Sequence, residues 1–116
     1  MAVKPWIGVI KNSVPTGYKP SRRDGAAPDA SIDLEYVYGY RCHDVRNNLR
    51  YAADGKLVYH SAGVGIVLDT YKNTQQFYMS HNDDIHCLAL DPTGTIVATG
   101  QIGPKPFLCV WNCKTM

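Results

Sequence analysis

The sequence predicts an all-β fold in which short antiparallel sheets stack radially, as in part of a β-propeller. From residue 31 onward, short apolar runs alternate with turn signals, which is typical of short strands. The last three runs are apolar or small at nearly every position, so both faces of their sheet should be covered. Turn and strand-end patterns also recur about 40 residues apart: Gly55 as Gly94, and residues 67–69 as residues 110–112.

Residues 1–30 are predicted to form an extended linker. Four prolines, each with a fixed φ and no amide donor, are spread through this segment: Pro5, Pro15, Pro20 and Pro28. Four apolar residues form a patch within it: Trp6, Ile7, Val9 and Ile10. We expect this patch either to dock on a neighbouring surface or to be exposed because the chain is cut from a longer one.

Eight strands are predicted after the linker, at residues 31–40, 48–52, 56–61, 65–69, 75–79, 85–90, 95–100 and 107–111. The first carries Leu34, Tyr36, Tyr38 and Tyr40 at alternate positions, so a strand would place them on one face. Tight turns are predicted at residues 53–55 and 91–94 because both end in glycine.

Residues 45–53 offer one alternative to this all-β pattern. Val45, Leu49 and Ala52 follow the i, i+4, i+7 spacing of a short helix. Asn47 and Asn48 argue against it, because asparagine favours turns and caps over helix interiors. The last three strands, in contrast, must pair antiparallel, because their connections are too short for parallel crossovers.

Composition and charge exclude several functional classes. The net charge is +2, with +3 in residues 1–52 and −1 in residues 53–116, which is too weak to indicate nucleic-acid binding. No apolar run is long enough to span a membrane, and no signal peptide is recognised at the start. Without a secretion signal, the four cysteines are expected to be reduced, partly buried thiols: Cys42, Cys87, Cys109 and Cys113.

No catalytic, metal or cofactor site is predicted. The neighbouring residues Cys42, His43 and Asp44 point apart on an extended chain, so they do not converge as a catalytic trio. Five potential zinc ligands lack the paired spacing of a dedicated site: His81, His86, Cys87, Cys109 and Cys113. Asp83 and Asp84 lack a calcium-loop pattern, and the glycines at 63 and 65 lack that of a phosphate loop.

The C-terminal residues resemble one WD repeat. The resemblance rests on His81, on residues 83–85, 88–94 and 96–100, and on Trp111 near the end of the third strand. Asn112 replaces the usual Asp after the Trp, and the Asp expected near Gly103 is missing. The resemblance implies a buried His–Asp–Ser/Thr–Trp network, of which only His81, Thr99 and Trp111 are expected to remain, at a cost of about 1 kcal/mol or more.

The block before it is similar to the HELP motif of the echinoderm microtubule-associated protein-like family. Residues 34–41, Asp44 and residues 46–49 carry this resemblance, which continues through residues 65–67, 76–78 and 81–85. It implies a partial WD-repeat propeller, with the HELP element plus about one and a half blades. The expected organisation is a linker at 1–30, the HELP motif and first blade strands at 31–79, and an incomplete blade at 80–116.

The resemblance also implies a cytoplasmic, cytoskeletal, non-enzymatic scaffold with no cofactor. Its expected partners are tubulin or microtubules, bound through the parent propeller, and the remaining blades of that propeller, with no nucleic acid or membrane. The alternative is a general protein-interaction WD-repeat module without its own tubulin affinity. Because the last blade lacks a fourth strand, the isolated chain is expected to be marginally stable, oligomeric or partner-dependent.

Three sets of residues are candidates for these roles. The HELP core and propeller packing is assigned to Tyr36, Tyr38, Gly39, Tyr40, Asn47 and Asn48. The candidate contacts with an acidic partner are Arg41, Arg46 and Arg50, although local pairing with Asp33, Glu35 or Asp44 is the alternative. The structural residues of the WD repeat are His81, Thr99 and Trp111.

Overall fold

The computed structural model describes residues 4–21 and 25–116, and the chain divides into two compact units at residues 33 and 34. In the first unit, helix α1 spans Pro5–Asn12. Pro5 occupies the first turn, where its missing N–H leaves no helical bond unmade. The helix ends at Ser13, whose backbone N–H donates to the carbonyls of Val9 and Ile10 and whose Oγ donates to Val9 O at 2.7 Å.

The prediction of an extended linker is therefore wrong over Pro5–Asn12. Pro5 stands at the first helical position, where a proline supports a helix, and no other proline follows until Pro15. The spacing of Trp6, Val9 and Ile10 places these apolar side chains on one side of the helix.

The second unit, residues 34–116, contains two antiparallel sheets. The strands are β1 Arg50–Tyr51, β2 Leu57–Ser61, β3 Val64–Asp69, β4 Thr74–Tyr78, β5 Ile85–Leu90, β6 Ile96–Gln101 and β7 Leu108–Asn112. The first sheet has the order β1-β2-β3-β4 and the second β5-β6-β7, each a meander of sequential neighbours. The predicted antiparallel pairing of the last three strands is thus confirmed.

The recurring turn glycines have the same role in both sheets. Gly55 has a φ of +80° and Gly94 a φ of +70°, the left-handed region that glycine adopts without steric cost. Gly94 also lies against the preceding sheet, where a Cβ would meet the backbone N of Ala53 at 2.8 Å. Its carbonyl accepts from the Ala53 N–H at 2.9 Å, so this turn joins the two sheets.

The hydrophobic core lies between the two sheets. It consists of buried side chains from both: Ala52, Val58, Val67, Leu88, Val97, Trp111 and Cys113. The Trp111 ring stacks on Tyr78 with centroids 4.8 Å apart and planes at 6°. Gly65 makes room for this ring, because a Cβ there would lie 2.8 Å from Trp111 Cζ2.

The predicted strand over residues 31–40 is wrong, because these residues have no regular secondary structure. Their backbone pairs with no strand, and side chains of the first sheet hold the segment instead. The alternative helix over residues 45–53 is also absent: Asn47 has a φ of +60°, and β1 begins at Arg50. The asparagine preference for turns therefore prevailed over the apolar spacing.

Within residues 34–116, nothing covers the outer face of the second sheet. Leu108 and Val110 of β7 are 73% and 69% exposed, although the apolar run predicted cover on both faces. Gly100 leaves no room for a larger side chain at its position, because a Cβ there would lie 2.6 Å from Cys87 Sγ. A groove of about 300 Å³ opens beside it, between Cys87, Phe107 and Leu108. No helix among the described residues is long and apolar enough to cross a membrane.

Candidate functional site

Residues 34–48, here called the cover segment, lie over the outer face of the first sheet. The side chain of Gln75 in β4 fastens its middle. Gln75 Oε1 accepts from the Val37 N–H at 2.7 Å, and Gln75 Nε2 donates to Val37 O at 3.0 Å and to Tyr59 Oη at 2.9 Å. One amide side chain thus makes the two bonds that a neighbouring strand would make, which explains how a non-strand segment stays bound to a sheet.

Tyr36 and Tyr38 take different environments from those that a strand would give them. The Tyr36 hydroxyl donates to Asn73 Oδ1 at 2.9 Å, and its ring contacts that of Tyr38, with centroids 4.8 Å apart. Tyr38 is 92% exposed. Gly39 passes close to β2, where a Cβ would lie 2.9 Å from Ser61 Oγ. This close approach explains the glycine between two tyrosines.

The end of the cover segment is held by a buried asparagine. Asn48 is 3% exposed, donates to Arg41 O and accepts from the Tyr40 hydroxyl. The Tyr40 ring packs edge-on to Tyr59, with centroids 6.0 Å apart. Asn47 takes the left-handed turn that reverses the chain. The structure therefore brings Tyr40 and Asn48 together, while Tyr38 points to solvent.

Arg41 is buried and links the cover segment to the second sheet. Its Nε and Nη2 donate to the two carboxylate oxygens of Asp44 at 2.8 and 2.6 Å, and its Nη1 donates to Asp84 Oδ2 at 2.9 Å. The hydrogen bonds to Asp44 raise the pKa of Arg41, and they lower the pKa of Asp44 to about 2. Arg41 is 9% exposed, so the prediction that it contacts a partner does not hold.

The other two arginines of that prediction remain accessible. Arg46 is exposed in the turn after Asp44, and Arg50 is half-buried at the start of β1. The Arg50 guanidinium donates to the neighbouring carbonyl of Leu49 at 2.9 Å. Two of the three predicted basic contacts are thus on the surface.

A directed hydrogen-bond chain joins His81, Thr99 and Trp111. The Trp111 indole N–H is a donor only, and it donates to Thr99 Oγ1 at 3.1 Å. Thr99 Oγ1 also forms a hydrogen bond with His81 Nε2, 2.7 Å away. The structure brings the three predicted residues together.

Gln101 completes this chain, which the sequence analysis did not foresee. Its Oε1 accepts from the Asn82 N–H at 3.2 Å and forms a second hydrogen bond with His81 Nδ1, 2.9 Å away. Gln101 Nε2 donates to Asn82 Oδ1 at 2.7 Å. The three residues expected to remain of the family's network are joined by hydrogen bonds, and the Gln101 amide oxygen lies at His81 Nδ1 in place of the absent Asp. The expected cost of about 1 kcal/mol stays a prediction.

His60 is the exception among these satisfied polar groups. It is 0% exposed in the middle of β2, and neither ring nitrogen has a hydrogen-bond partner. Burial, reinforced by the nearby Arg41 charge, lowers the pKa of His60 to about 4. A charged imidazolium is costly in such a place, so His60 is neutral at pH 7.

The polar side chains described above form hydrogen bonds within the fold. Gln75, Arg41 and Gln101 have their donors and acceptors used internally. Within residues 4–21 and 25–116, no three histidine, cysteine or carboxylate side chains are grouped as a metal site. The four cysteines are free thiols, of which Cys42 and Cys87 are exposed.

Sequence reasoning missed the two glutamines for different reasons. Gln101 follows an apolar run, and a polar residue at the buried end of a strand is the signal that could have identified it. Gln75 and Gln76 are adjacent and both polar, and the pattern does not say which one faces the cover segment. The register settles it, because Gln75 pairs with Leu68 and shares a face with Tyr59.

Comparison with known proteins gives matches to the same segments. The family model of the HELP motif matches residues 27–66. A ciliary WD repeat-containing protein, ctxp80, from Euplotoides octocarinatus is 38% identical over 99% of this chain and 18% of its own length. Echinoderm microtubule-associated protein-like 2 from Homo sapiens is 43% identical over 77% of this chain and 15% of its own length. The 77 kDa echinoderm microtubule-associated protein of Lytechinus variegatus is 36% identical over 78% and 14%, respectively.

The two stacked meanders, the His81–Thr99–Trp111 chain and the WD-repeat relatives define an all-β protein that forms part of a WD-repeat propeller. The cover segment lies within the HELP match. The HELP match and these relatives support a place for the chain in the echinoderm microtubule-associated protein-like family. It spans less than a fifth of the length of these curated relatives.

Proposed function

We propose that this chain is a non-enzymatic, cytoskeletal part of a microtubule-associated WD-repeat scaffold. The observation that carries the proposal is the similarity of the whole HELP and blade unit to proteins named microtubule-associated. The site supports a scaffold, because its polar side chains are engaged in hydrogen bonds that hold the cover segment and the two sheets in place.

The proposed partners are tubulin or microtubules and further blades of the same propeller. The uncovered outer face, with Leu108 and Val110, is a surface on which a further blade would pack. Tyr36 and Tyr38 are proposed to pack against a neighbouring propeller element, because an exposed pair of tyrosines offers a large, rigid apolar surface. The proposed domain organisation is a linker at residues 1–30, the HELP motif with the first blade strands at 31–79, and an incomplete blade at 80–116.

Arg46 and Arg50 are the proposed contacts with acidic tubulin, now without Arg41. Exposed arginines attract an acidic surface at long range, so their effect should weaken with salt. His81, Thr99 and Trp111 are proposed to stabilise the blade that carries such contacts. The proposed location is the cytoskeleton of the cytoplasm.

Co-sedimentation tests the proposal. The 116-residue chain is spun with assembled microtubules and assayed separately against free tubulin, with the full-length human relative as reference. We expect binding that weakens between low and physiological salt and weakens again in Arg46→Gln with Arg50→Gln. Lys105→Gln with Lys114→Gln is the matched control, since it removes the same charge from the segments before and after β7.

The alternative, a protein-interaction module without tubulin affinity, is the outcome if the chain binds neither form at low salt while the reference does. A hydrolytic activity abolished by Cys42→Ala would contradict the non-enzymatic part of the proposal.

A further inference from the structure

Strand β7 is an edge of the second sheet, and its backbone groups alternate in direction. Within residues 34–116 it pairs with β6 alone. Phe107 O accepts from the Gln101 N–H at 3.1 Å at one end, and the Cys113 N–H donates to Thr95 O at 3.0 Å at the other. In an antiparallel ladder, every second residue directs both its N–H and its C=O at the partner strand. Odd-numbered residues of β7 therefore face β6, and even-numbered residues face the open side.

Leu108 and Val110 present two backbone donors and two backbone acceptors on that open side. Within residues 34–116, no hydrogen bond is made to these four groups. Asn112 O is the next carbonyl on this side, and it accepts from the Met116 N–H at 2.9 Å. The turn after β7 thus closes the edge at Asn112, and the open part consists of two residues that are two positions apart.

No residue within β7 prevents another strand from pairing with this edge. Residues 106–113 carry no charge, and Pro106 lies before the strand rather than in it. Natural edge strands are usually protected by a charged side chain, a proline or a bulge within the strand. The side chains of Leu108 and Val110 are 73% and 69% exposed. The edge is therefore open in its backbone and apolar in its side chains.

We infer that two copies of this chain associate by antiparallel pairing of β7 with β7 of the second copy, about a two-fold axis at Cys109. In this register, Leu108 lies opposite Val110 of the second copy, and the N–H of each meets the C=O of the other. The two-fold axis repeats the pair, so all four open groups of each copy are used. A second copy fits because these donors and acceptors are self-complementary under the rotation, which closes the assembly at a dimer.

The same register pairs the exposed side chains of β7. Leu108 of each copy contacts Val110 of the other on one face, which stabilises an antiparallel pair. The two three-stranded sheets become one sheet of six strands. Lys105 and Lys114 stand beyond opposite ends of β7, and antiparallel pairing brings Lys105 of one copy to the end that carries Lys114 of the other. This repulsion is screened by salt, so the dimer should become tighter as the salt concentration rises.

Val110→Pro tests the backbone bonds of the pairing. Proline removes the outward N–H and breaks no bond to β6, and edge strands tolerate proline where the N–H faces solvent. Val110→Ile is the matched control, because it retains the N–H and a β-branched apolar side chain. Sedimentation equilibrium of the 116-residue chain in reducing buffer measures the dimer. We expect its dissociation constant to rise at least about tenfold in Val110→Pro and less than about threefold in Val110→Ile.

A disulfide at Cys109 tests the register without a change in β7. Residues at the two-fold axis form a non-hydrogen-bonded pair with Cα atoms about 4.5 Å apart, within the range of a disulfide. The exposed thiols are first removed by Cys42→Ser with Cys87→Ser. Diamide then takes up the two thiol hydrogens as the sulfur–sulfur bond forms. We expect a covalent dimer on a non-reducing gel, and none when Cys109→Ser is added.

Three outcomes overturn the inference. A monomer at every protein and salt concentration would show that β7 does not pair with a second copy. A dimer that folded Val110→Pro leaves as tight as before would place the interface elsewhere. A dimer without the Cys109 disulfide would exclude this register, and the disulfide alone decides if Val110→Pro is unfolded by circular dichroism. The proposed function stands after any of these results.

Discussion

At the scale of single residues, two glutamines make hydrogen bonds that no periodic pattern predicts. Gln75 bonds to the Val37 backbone where a neighbouring strand would otherwise do so, and Gln101 bonds to His81 where the family pattern has a carboxylate. Both are neutral, with one acceptor oxygen and one donor nitrogen on a single planar group. Each therefore satisfies a donor and an acceptor at once, where an aspartate would only accept.

Replacing Gln75 by leucine should loosen the cover segment. Gln75→Leu leaves the Val37 N–H and carbonyl without partners, which should cost about 1–3 kcal/mol of unfolding free energy. The measurement is urea unfolding followed by fluorescence. Gln76→Leu is the matched control, because it changes the exposed neighbour on the opposite face. Equal losses in the two variants would contradict the role of Gln75.

Removing the Thr99 hydroxyl should break the directed chain. Thr99→Val is nearly isosteric, and it leaves Trp111 Nε1 and His81 Nε2 unpaired in a buried site. We expect a loss of about 1–3 kcal/mol in thermal or urea unfolding. Thr74→Val, at an exposed position in β4, should change stability little. A neutral result at Thr99 would mean that the chain of hydrogen bonds does not stabilise the blade.

His60 should make stability depend on pH. Its pKa in the folded state is about 4, below the 6.5 of an unperturbed histidine, so the unfolded state binds the proton more readily. The contribution of neutral His60 is complete above pH 6.5 and is lost as pH falls towards 4, by about 3 kcal/mol. Burial of the ring causes this, and protonation would add a charge that faces Arg41, His81 and His86, with Asp44 opposing.

Urea unfolding at several pH values between 4 and 7 measures this effect. His60→Leu should flatten the slope in that window, whereas His43→Gln, at a ring 77% exposed, should leave it. Asp44 adds a further loss only at lower pH, as its carboxylate is protonated near pH 2. An unchanged slope in His60→Leu would contradict the burial of a neutral ring.

At the scale of elements, the strands were more predictable than the segments that pack on them. Seven of the eight predicted strands overlap observed strands, because alternation, turn glycines and short connections act locally. Residues 31–40 show the same alternation, yet they form no strand, and the Gln75 side chain rather than a strand backbone bonds to Val37. Which partner is available depends on tertiary structure, and the pattern of one segment does not contain it.

The helix α1 illustrates the opposite error. The four prolines of residues 1–30 suggested an extended chain, although a proline at the first helical position and an i, i+3, i+4 apolar stripe both favour a helix. The candidate site was predictable in the same uneven way. His81, Thr99 and Trp111 came from a linear motif, whereas the pairing of Arg41 with Asp84, 43 positions away, required the fold.

At the scale of elements, Arg41 links the cover segment to the second sheet through its bond to Asp84, the residue before β5. Arg41→Lys keeps the charge and loses the paired geometry with Asp44. Because both carboxylates are partly exposed, we expect a loss of only about 1–2 kcal/mol. Urea unfolding measures it, with Arg46→Lys as control on an exposed arginine. A loss as large in the control would indicate a general effect of lysine.

At the scale of the molecule, the second unit is a layered body with one uncovered side. The cover segment shields the first sheet, the two sheets share the core, and the far face of the second sheet is apolar and exposed. An exposed apolar sheet face promotes self-association. This agrees with a wedge of a propeller, in which each sheet is covered by its neighbours.

Making that face polar should increase the monomer fraction. Leu108→Gln with Val110→Thr removes the two most exposed apolar side chains of β7. Light scattering after size exclusion should show a lower average mass at the same concentration. Met79→Gln, at a side chain 61% exposed beyond β4, is the control and should have a smaller effect. An unchanged mass would show that this face does not drive association.

Side chains of the first sheet, not a backbone ladder, hold the cover segment against it. Amide hydrogen exchange followed by NMR measures this contact residue by residue. We expect a protected Val37 amide between unprotected neighbours, and loss of that protection in Gln75→Leu but not in Gln76→Leu. Exchange of Val37 at the rate of an unfolded chain, or regular protection at alternate residues of 34–40 as in a paired strand, would contradict it.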